Sequence, residues 1–196
     1  MIRKFVFFLF LVLFLADKSY SKSVLDVVSE NKDLSIFYSY LQKTGLDRVL
    51  KKKLPWNWTI FAPSNKAFNS APDLLENEIL KDELLSKNIF MDHIMTGHKT
   101  SLDVSEKVTT QITVSNKPLQ IYKSKKLHVK DMVVVKENLI GNNGVVHIID
   151  CIMYVQPSKE DDRVSDEIGK TFPITSCCMQ SRAEISAFKK AVNLRY

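Results

Sequence analysis

The sequence predicts an α+β domain, with N-terminal helices packed on a curled or sandwiched antiparallel sheet and a charged tail ending in a short helix. Two observations carry this. Apolar residues recur at helical spacing through residues 23–96, and short alternating runs separated by turn sequences fill residues 108–155.

Val24, Leu25, Val27 and Val28 form the apolar stripe of a first short helix, ended by Asn31-Lys32-Asp33. Leu34, Phe37 and Leu41 continue at the same spacing to a stop at Gly45, and Leu46, Val49 and Leu50 make a third piece before Lys51-Lys52-Lys53 and Pro55. Trp58–Ala62 is β-rich and is cut by Pro63, after which Ser64 is placed to cap a turn of helix through Phe68. Residues 73–96 are expected to be helical to Gly97. Alternating runs follow at 108–114, 119–122, 127–130, 132–136 and 145–155, the last entered through the strong turn signal Asn143-Gly144. In 145–155 both faces are largely apolar, which predicts one central strand buried on both sides, with His147 and Asp150 as hydrogen-bonded polar groups inside it. Residues 157–180 read as a linker. Beyond it, Ser181-Arg182-Ala183-Glu184 is a capping box, and Ile185, Phe188 and Val192 form one face of a docking helix.

Residues 1–21 are expected to be a signal peptide, 22–157 the domain, and 158–196 the charged linker and terminal helix. Arg3 and Lys4 precede twelve apolar residues, Phe5–Ala16. As a helix that run rises only about 18 Å against a hydrocarbon core of ~30 Å, so no stable membrane span is expected. The product is thus expected to be secreted or otherwise extracytoplasmic. The chain has 28 Lys+Arg against 22 Asp+Glu, and loses three cations and one anion with residues 1–21. The remainder is only mildly basic, and the run Lys123-Ser124-Lys125-Lys126 reads as a solvated hairpin, so no nucleic-acid partner is expected.

No G-x-S-x-G, P-loop or G-x-G-x-x-G occurs, and His93, His98, His128 and His147 have no metal-ligand spacing. No catalytic set, metal or cofactor is expected, and the chain reads as a binding protein rather than an enzyme. Three Cys leave at least one thiol without an intrachain partner; Cys151 is a candidate to pair with Cys177 or Cys178 if it lies near a sheet edge. Asn57-Trp58-Thr59 is a sequon for N-glycosylation in a eukaryotic source, and one of Trp56 and Trp58 is expected inside and the other outside.

Two segments resemble the motifs of the fasciclin (fasciclin I-like) domain family. The first is Thr59-Ile60-Phe61-Ala62-Pro63-Ser64-Asn65-Lys66-Ala67-Phe68; the second is Asn143-Gly144-Val145-Val146-His147-Ile148-Ile149-Asp150. Between them, Asp92-His93 is similar to the family's Tyr-His motif with Asp in place of Tyr, and Asn138-Leu139-Ile140 stands where animal members carry Asp-Ile. The resemblance covers residues 23–157. It implies the fasciclin fold and a single-domain module for cell-surface or matrix adhesion, with a protein or glycan partner. It also implies Asp92, His93, Asn138, Leu139 and Ile140 as the adhesion-motif positions. The carboxylate that would meet an integrin's metal ion is missing at Asn138. An alternative reading is a carrier of a small apolar ligand, such as a carotenoid or lipid, in a cleft of the helical half.

Overall fold

The computed structural model describes residues 21–130, 132–157, 174–179 and 181–193. The expected signal peptide up to residue 20 and the charged stretch 158–173 lie outside the described residues.

The first helix, α1 (Val24–Glu30), opens with a complete capping box between Ser23 and Asp26. A 3₁₀ turn (Lys32–Leu34) leads into α2 (Ser35–Lys43), and Gly45, at φ +71°, turns the chain into α3 (Leu46–Leu50). Strand β1 (Trp58–Pro63) ends at Pro63, and Ser64 caps α4 (Asn65–Asn69) by accepting from the Ala67 amide at 3.2 Å. One turn of α5 (Asp73–Leu75) passes into a π-helical segment (Glu76–Leu80), followed by α6 (Glu83–Asp92).

Residues 94–96 are a strand, β2 (Ile94–Thr96), and not the end of the helix. His93 ends α6 with its own side chain: ring Nδ1 lies 2.8 Å from the Ile89 carbonyl, the acceptor a further helical turn would have used. The His93 carbonyl is taken by the Phe61 amide of β1 at 2.9 Å, which draws the chain into the sheet.

Strands β3 (Thr109–Ile112), β4 (Pro118–Lys123), β5 (Leu127–Val129), β6 (Met132–Gly141) and β7 (Gly144–Ile149) complete a seven-stranded sheet of order β2-β1-β7-β6-β5-β4-β3. Its ends meet through a bridge between Met95 and Thr113 and a 2.7 Å bond from the Val114 amide to the Ile94 carbonyl, so the sheet is nearly a closed barrel. The neighbours are antiparallel except for one pair: β1 runs parallel to β7, Trp58 opposite Gly144 through Pro63 opposite Ile149. The sheet is therefore mixed. A parallel pair requires a long crossover, and the whole of α4–β6 supplies it.

The run 145–155 is two strands in two sheets. Asp150 is captured by Ser64 Oγ at 2.6 Å and Lys66 Nζ at 2.7 Å, which bends the chain out of β7 before β8 (Met153–Pro157) begins. The alternation survives the bend. Val146, Ile148, Ile152 and Tyr154 face the helices, whereas Ile149, Cys151, Met153 and Val155 face the barrel interior with Phe61, Ile121, Val129 and Val134. The β1–β7 pair is the wall between these two cores and is buried on both sides.

Strand β9 (Ile174–Cys178) lies within the stretch expected to be linker, and pairs antiparallel with β8. The disulfide joins Cys151 to Cys178, with Cα atoms 5.3 Å apart; the Cys177 side chain lies outside the described residues. The final helix, α7 (Arg182–Asn193), packs Ile185 and Phe188 into the helical core, and the Tyr154 hydroxyl donates to the Ala187 carbonyl at 3.2 Å. The Val192 side chain lies outside the described residues.

Candidate binding surface and the buried polar frame

The structure sorts the motif residues into an internal frame and a small exposed remainder. Asn65 reaches across to the helices: Oδ1 accepts from the Ile36 amide at 3.0 Å, and Nδ2 donates to the Lys32 carbonyl at 2.9 Å and Ser35 Oγ at 3.0 Å. One amide side chain therefore serves an orphan donor at the start of α2 and ties α4 to it. Phe68 packs beside it, stacked on Tyr40 with centroids 5.7 Å apart. Asn143 gathers three segments, accepting from the Val24 amide through Oδ1, donating to the Leu50 carbonyl through Nδ2, and accepting from the Trp58 amide with its backbone carbonyl. A Cβ on Gly144 would lie 2.1 Å from the Trp58 carbonyl oxygen, so this close approach admits only glycine.

Asp92 and His93 belong to the core, and neither presents its side chain to solvent. Asp92 pairs with Lys117 at 2.6 Å and accepts from Ser115 Oγ. Burial pushes the Asp92 carboxyl above its ordinary range, while the Lys117 ammonium and the hydroxyl of Ser115 pull it back. His93 donates from Nδ1 to Ile89 and accepts at Nε2 from the Met153 amide at 2.8 Å, which fixes one neutral tautomer. Burial drives its pKa down to about 4. His93 thus pins the start of β8 to the end of α6. Asp150 is at the rim and not inside a core strand; its bonds to Lys66 and Ser64 hold its carboxyl below the ordinary range.

Asn138 is placed otherwise. It sits at an irregularity of β6 with φ +61°, a conformation Asn tolerates. Its amide clamps Ser101 twice, with Oδ1 on the Ser101 backbone amide at 2.8 Å and Nδ2 on Ser101 Oγ at 2.7 Å. His147 accepts from the Asn138 amide at 3.3 Å and donates to the Lys99 carbonyl at 2.8 Å. It stacks on Phe61 at 5.4 Å, and burial lowers its pKa. Thr59 Oγ1 donates to the Gly97 carbonyl and accepts from the Lys99 amide, and Lys123 Nζ donates to the Ser101 carbonyl. Residues 97–101 are therefore bolted to the barrel. Directly beyond them Leu102 stands 87% exposed, its turn closed by Asp103 accepting from the amide and hydroxyl of Thr100. Leu139 packs against the helical core, and Ile140 is 56% exposed.

Of the five adhesion-motif positions, then, the structure buries Asp92 and His93, packs Leu139 against the helical core, ties Asn138 to a rigid, exposed loop and leaves Ile140 exposed. Leu102 has no signal in the sequence, since a lone Leu between polar residues reads as an ordinary loop residue. The helical half contains a cleft of about 310 Å³ whose walls include Ile36, Tyr40, Phe68, Asp73 and Glu76. No group of three or more His, Cys, Asp or Glu among the described residues is placed to hold a metal ion, and no helix among them is long and apolar enough to cross a membrane.

The chain is 25% identical to human periostin over 139 residues, covering 70% of this chain and 16% of periostin. It is 26% identical over 172 residues to transforming growth factor-beta-induced protein ig-h3 of Sus scrofa, covering 86% of this chain and 25% of that protein. An uncharacterized Synechocystis protein is 22% identical over 131 residues, 67% of this chain and 96% of its own length. Among solved structures, a FAS1 domain pair from the insect cell adhesion molecule fasciclin I aligns at 25% identity with a TM-score of 0.49, over 62% of this chain and 45% of that one. The chain thus spans a quarter or less of periostin and ig-h3, and nearly all of the Synechocystis protein. The sequence pattern of the fasciclin domain matches residues 32–155, from the 3₁₀ turn into β8, and takes in both motifs; the chain belongs to the fasciclin domain family.

Proposed function

We propose that the chain is an exported, non-catalytic binding module of adhesion type, contacting a cell-surface or matrix protein or glycan. The observation that carries this reading is the clamped loop at Asn138. Asn138, His147, Thr59 and Lys123 spend their polar groups on fixing residues 97–101, and the apolar Leu102 is held out at the end of that fixed segment. A side chain ordered in advance loses little freedom on docking, which favours it as a contact for a partner. Ile140 adds exposed apolar area along the same strand. The purified full chain is expected to bind saturably to cells or cell-surface material of its source. The double substitution Leu102→Asp, Ile140→Asp is expected to weaken that binding about tenfold or more with an unchanged melting temperature. A full chain without saturable binding sinks the reading.

The cleft beside Tyr40 and Phe68 favours a second reading, a carrier of a small ligand. Its rim carries Asp73 and Glu76, so its walls are only partly apolar. A lipid or chromophore that co-elutes with protein purified from its native source supports the carrier; a colourless, ligand-free monomer counts against it.

A further inference from the structure

The segment that joins α3 to β1 belongs to neither motif, and its composition is strongly one-sided. Arg48, Lys51, Lys52 and Lys53 place four cations within six positions, and no Asp or Glu occurs from Arg48 to Thr59. All four are exposed, as are Pro55, Trp56 and Asn57. Among the described residues none of the four cations makes a salt bridge, although Lys51 lies near enough to Asp26 to help lower the pKa of its carboxyl. Arg48 and Lys51 at the end of α3 complement the helix dipole, which gives those two a local role. Lys52 and Lys53 lie beyond the helix, where adjacent like charges repel and the fold returns nothing for them.

The segment is also held in shape. Asn143 fixes both of its ends, the Leu50 carbonyl and the Trp58 amide, and Leu54 anchors its middle against the core. Trp56 is 46% exposed and meets the buried Trp58 edge to face, with centroids 6.1 Å apart. An indole held on one flank and open on the other, beside exposed cations that make no salt bridge, is a platform for a ring that carries anionic groups.

We propose that Arg48, Lys51, Lys52, Lys53 and Trp56 form a binding site for an acidic polysaccharide. Its sulfate or carboxylate groups pair with the cations, and the apolar face of a pyranose ring lies on Trp56. A lipid surface suits the segment less well, because Leu54 turns inward and leaves Val49, Pro55 and Trp56 as its exposed apolar contacts, too few for a face that enters a bilayer. The inference rests on the binding-module reading and names one class of partner for it, on residues separate from Leu102 and Ile140.

The test is calorimetric titration of the full chain, produced without glycosylation at Asn57, with a heparin oligosaccharide, with neutral dextran, and with vesicles of phosphatidylserine and phosphatidylcholine. Binding to heparin that weakens steeply with salt, and none to dextran, is expected. Lys51→Ser, Lys52→Ser, Lys53→Ser together are expected to lower heparin affinity about tenfold or more and to flatten its salt dependence. Trp56→Ala is expected to cost about threefold to tenfold at an unchanged salt dependence, with Trp56→Tyr restoring most of it. Heparin binding unaffected by Trp56→Ala, or vesicle binding as tight as heparin binding, overturns the proposal. Cell binding by the triple variant, measured beside the Leu102/Ile140 variant, separates failure of this site from failure of the module reading.

Discussion

Asp92 and Lys117 face each other at 2.6 Å with both side chains buried, and the same ammonium sits 5.6 Å from the ring centroids of Tyr154 and Phe188. The pair thus lies under the docked C-terminal helix. Lys117→Met removes the counter-charge and leaves a buried carboxyl, with an expected loss of about 3–5 kcal/mol in urea unfolding. The double variant Asp92→Leu, Lys117→Met is expected to regain most of it, since no charge is then left unpaired. A single variant as stable as the parent contradicts the buried pair.

His93 sets a pH dependence. Its folded pKa of about 4 lies below the ordinary 6.5, so the unfolded chain binds the proton more readily. Its contribution is fully present above pH 6.5 and is lost as pH falls toward 4, with a size of about 3 kcal/mol. The cause is burial, which disfavours the imidazolium, with the Lys117 ammonium acting in the same direction; the Met153 amide, donating to Nε2, holds the neutral tautomer. Asp92, raised by burial, acts in the opposite sense, so the comparison is with His93→Gln, which keeps one donor and one acceptor. Unfolding free energies at pH 7 and pH 4.5 are expected to differ less in the variant than in the parent.

Gly144→Ala places a methyl 2.1 Å from a main-chain oxygen in the central strand pair. Neither backbone can yield without breaking the β1–β7 register. The expected cost is at or above the ~1–3 kcal/mol of ordinary overpacking, read as a fall in melting temperature. A variant melting with the parent would show that Gly144 is not under this constraint.

The disulfide spans 27 residues between Cys151 and Cys178. Loop-closure entropy assigns it about 3–4 kcal/mol. Reduction is expected to lower the urea midpoint accordingly, and limited proteolysis of the reduced protein is expected to cut first around β9 and α7. Equal stability in the two redox states contradicts this.

The sequence was legible where one residue's conformation or one local periodicity decides the outcome. Ser64 as a cap, Gly45 as a stop, the inside–outside split of Trp58 and Trp56, and the docking of Ile185 and Phe188 all follow from such local rules. It was misleading where a distant partner decides. Ile94–Thr96 continues a helical pattern, yet becomes β2 because His93 spends its ring on Ile89 and its carbonyl on Phe61. The alternation in 145–155 runs unbroken through a bend, because the two layers it serves are continuous on both sides of Asp150. Strand β9 has no strong pattern of its own and is fixed by β8 and the disulfide. In the candidate site, Asn138 and Ile140 were marked by position in the motif, whereas the exposure of Leu102 depends on four side chains from elsewhere in the chain, Asn138, Thr59, His147 and Lys123.

The parallel seating of β1 on β7 has a consequence in time. The ribosome delivers β1 early, but the strand that completes its wall arrives only after most of the domain has emerged. Until then the Phe61 and Ile60 faces have no β7 to cover them, and closing so long a loop is slow. A chain built this way tends to stay open during synthesis and to fold as a unit once β7 has emerged. That ordering makes truncations before Gly144 prone to aggregate rather than to fold in part.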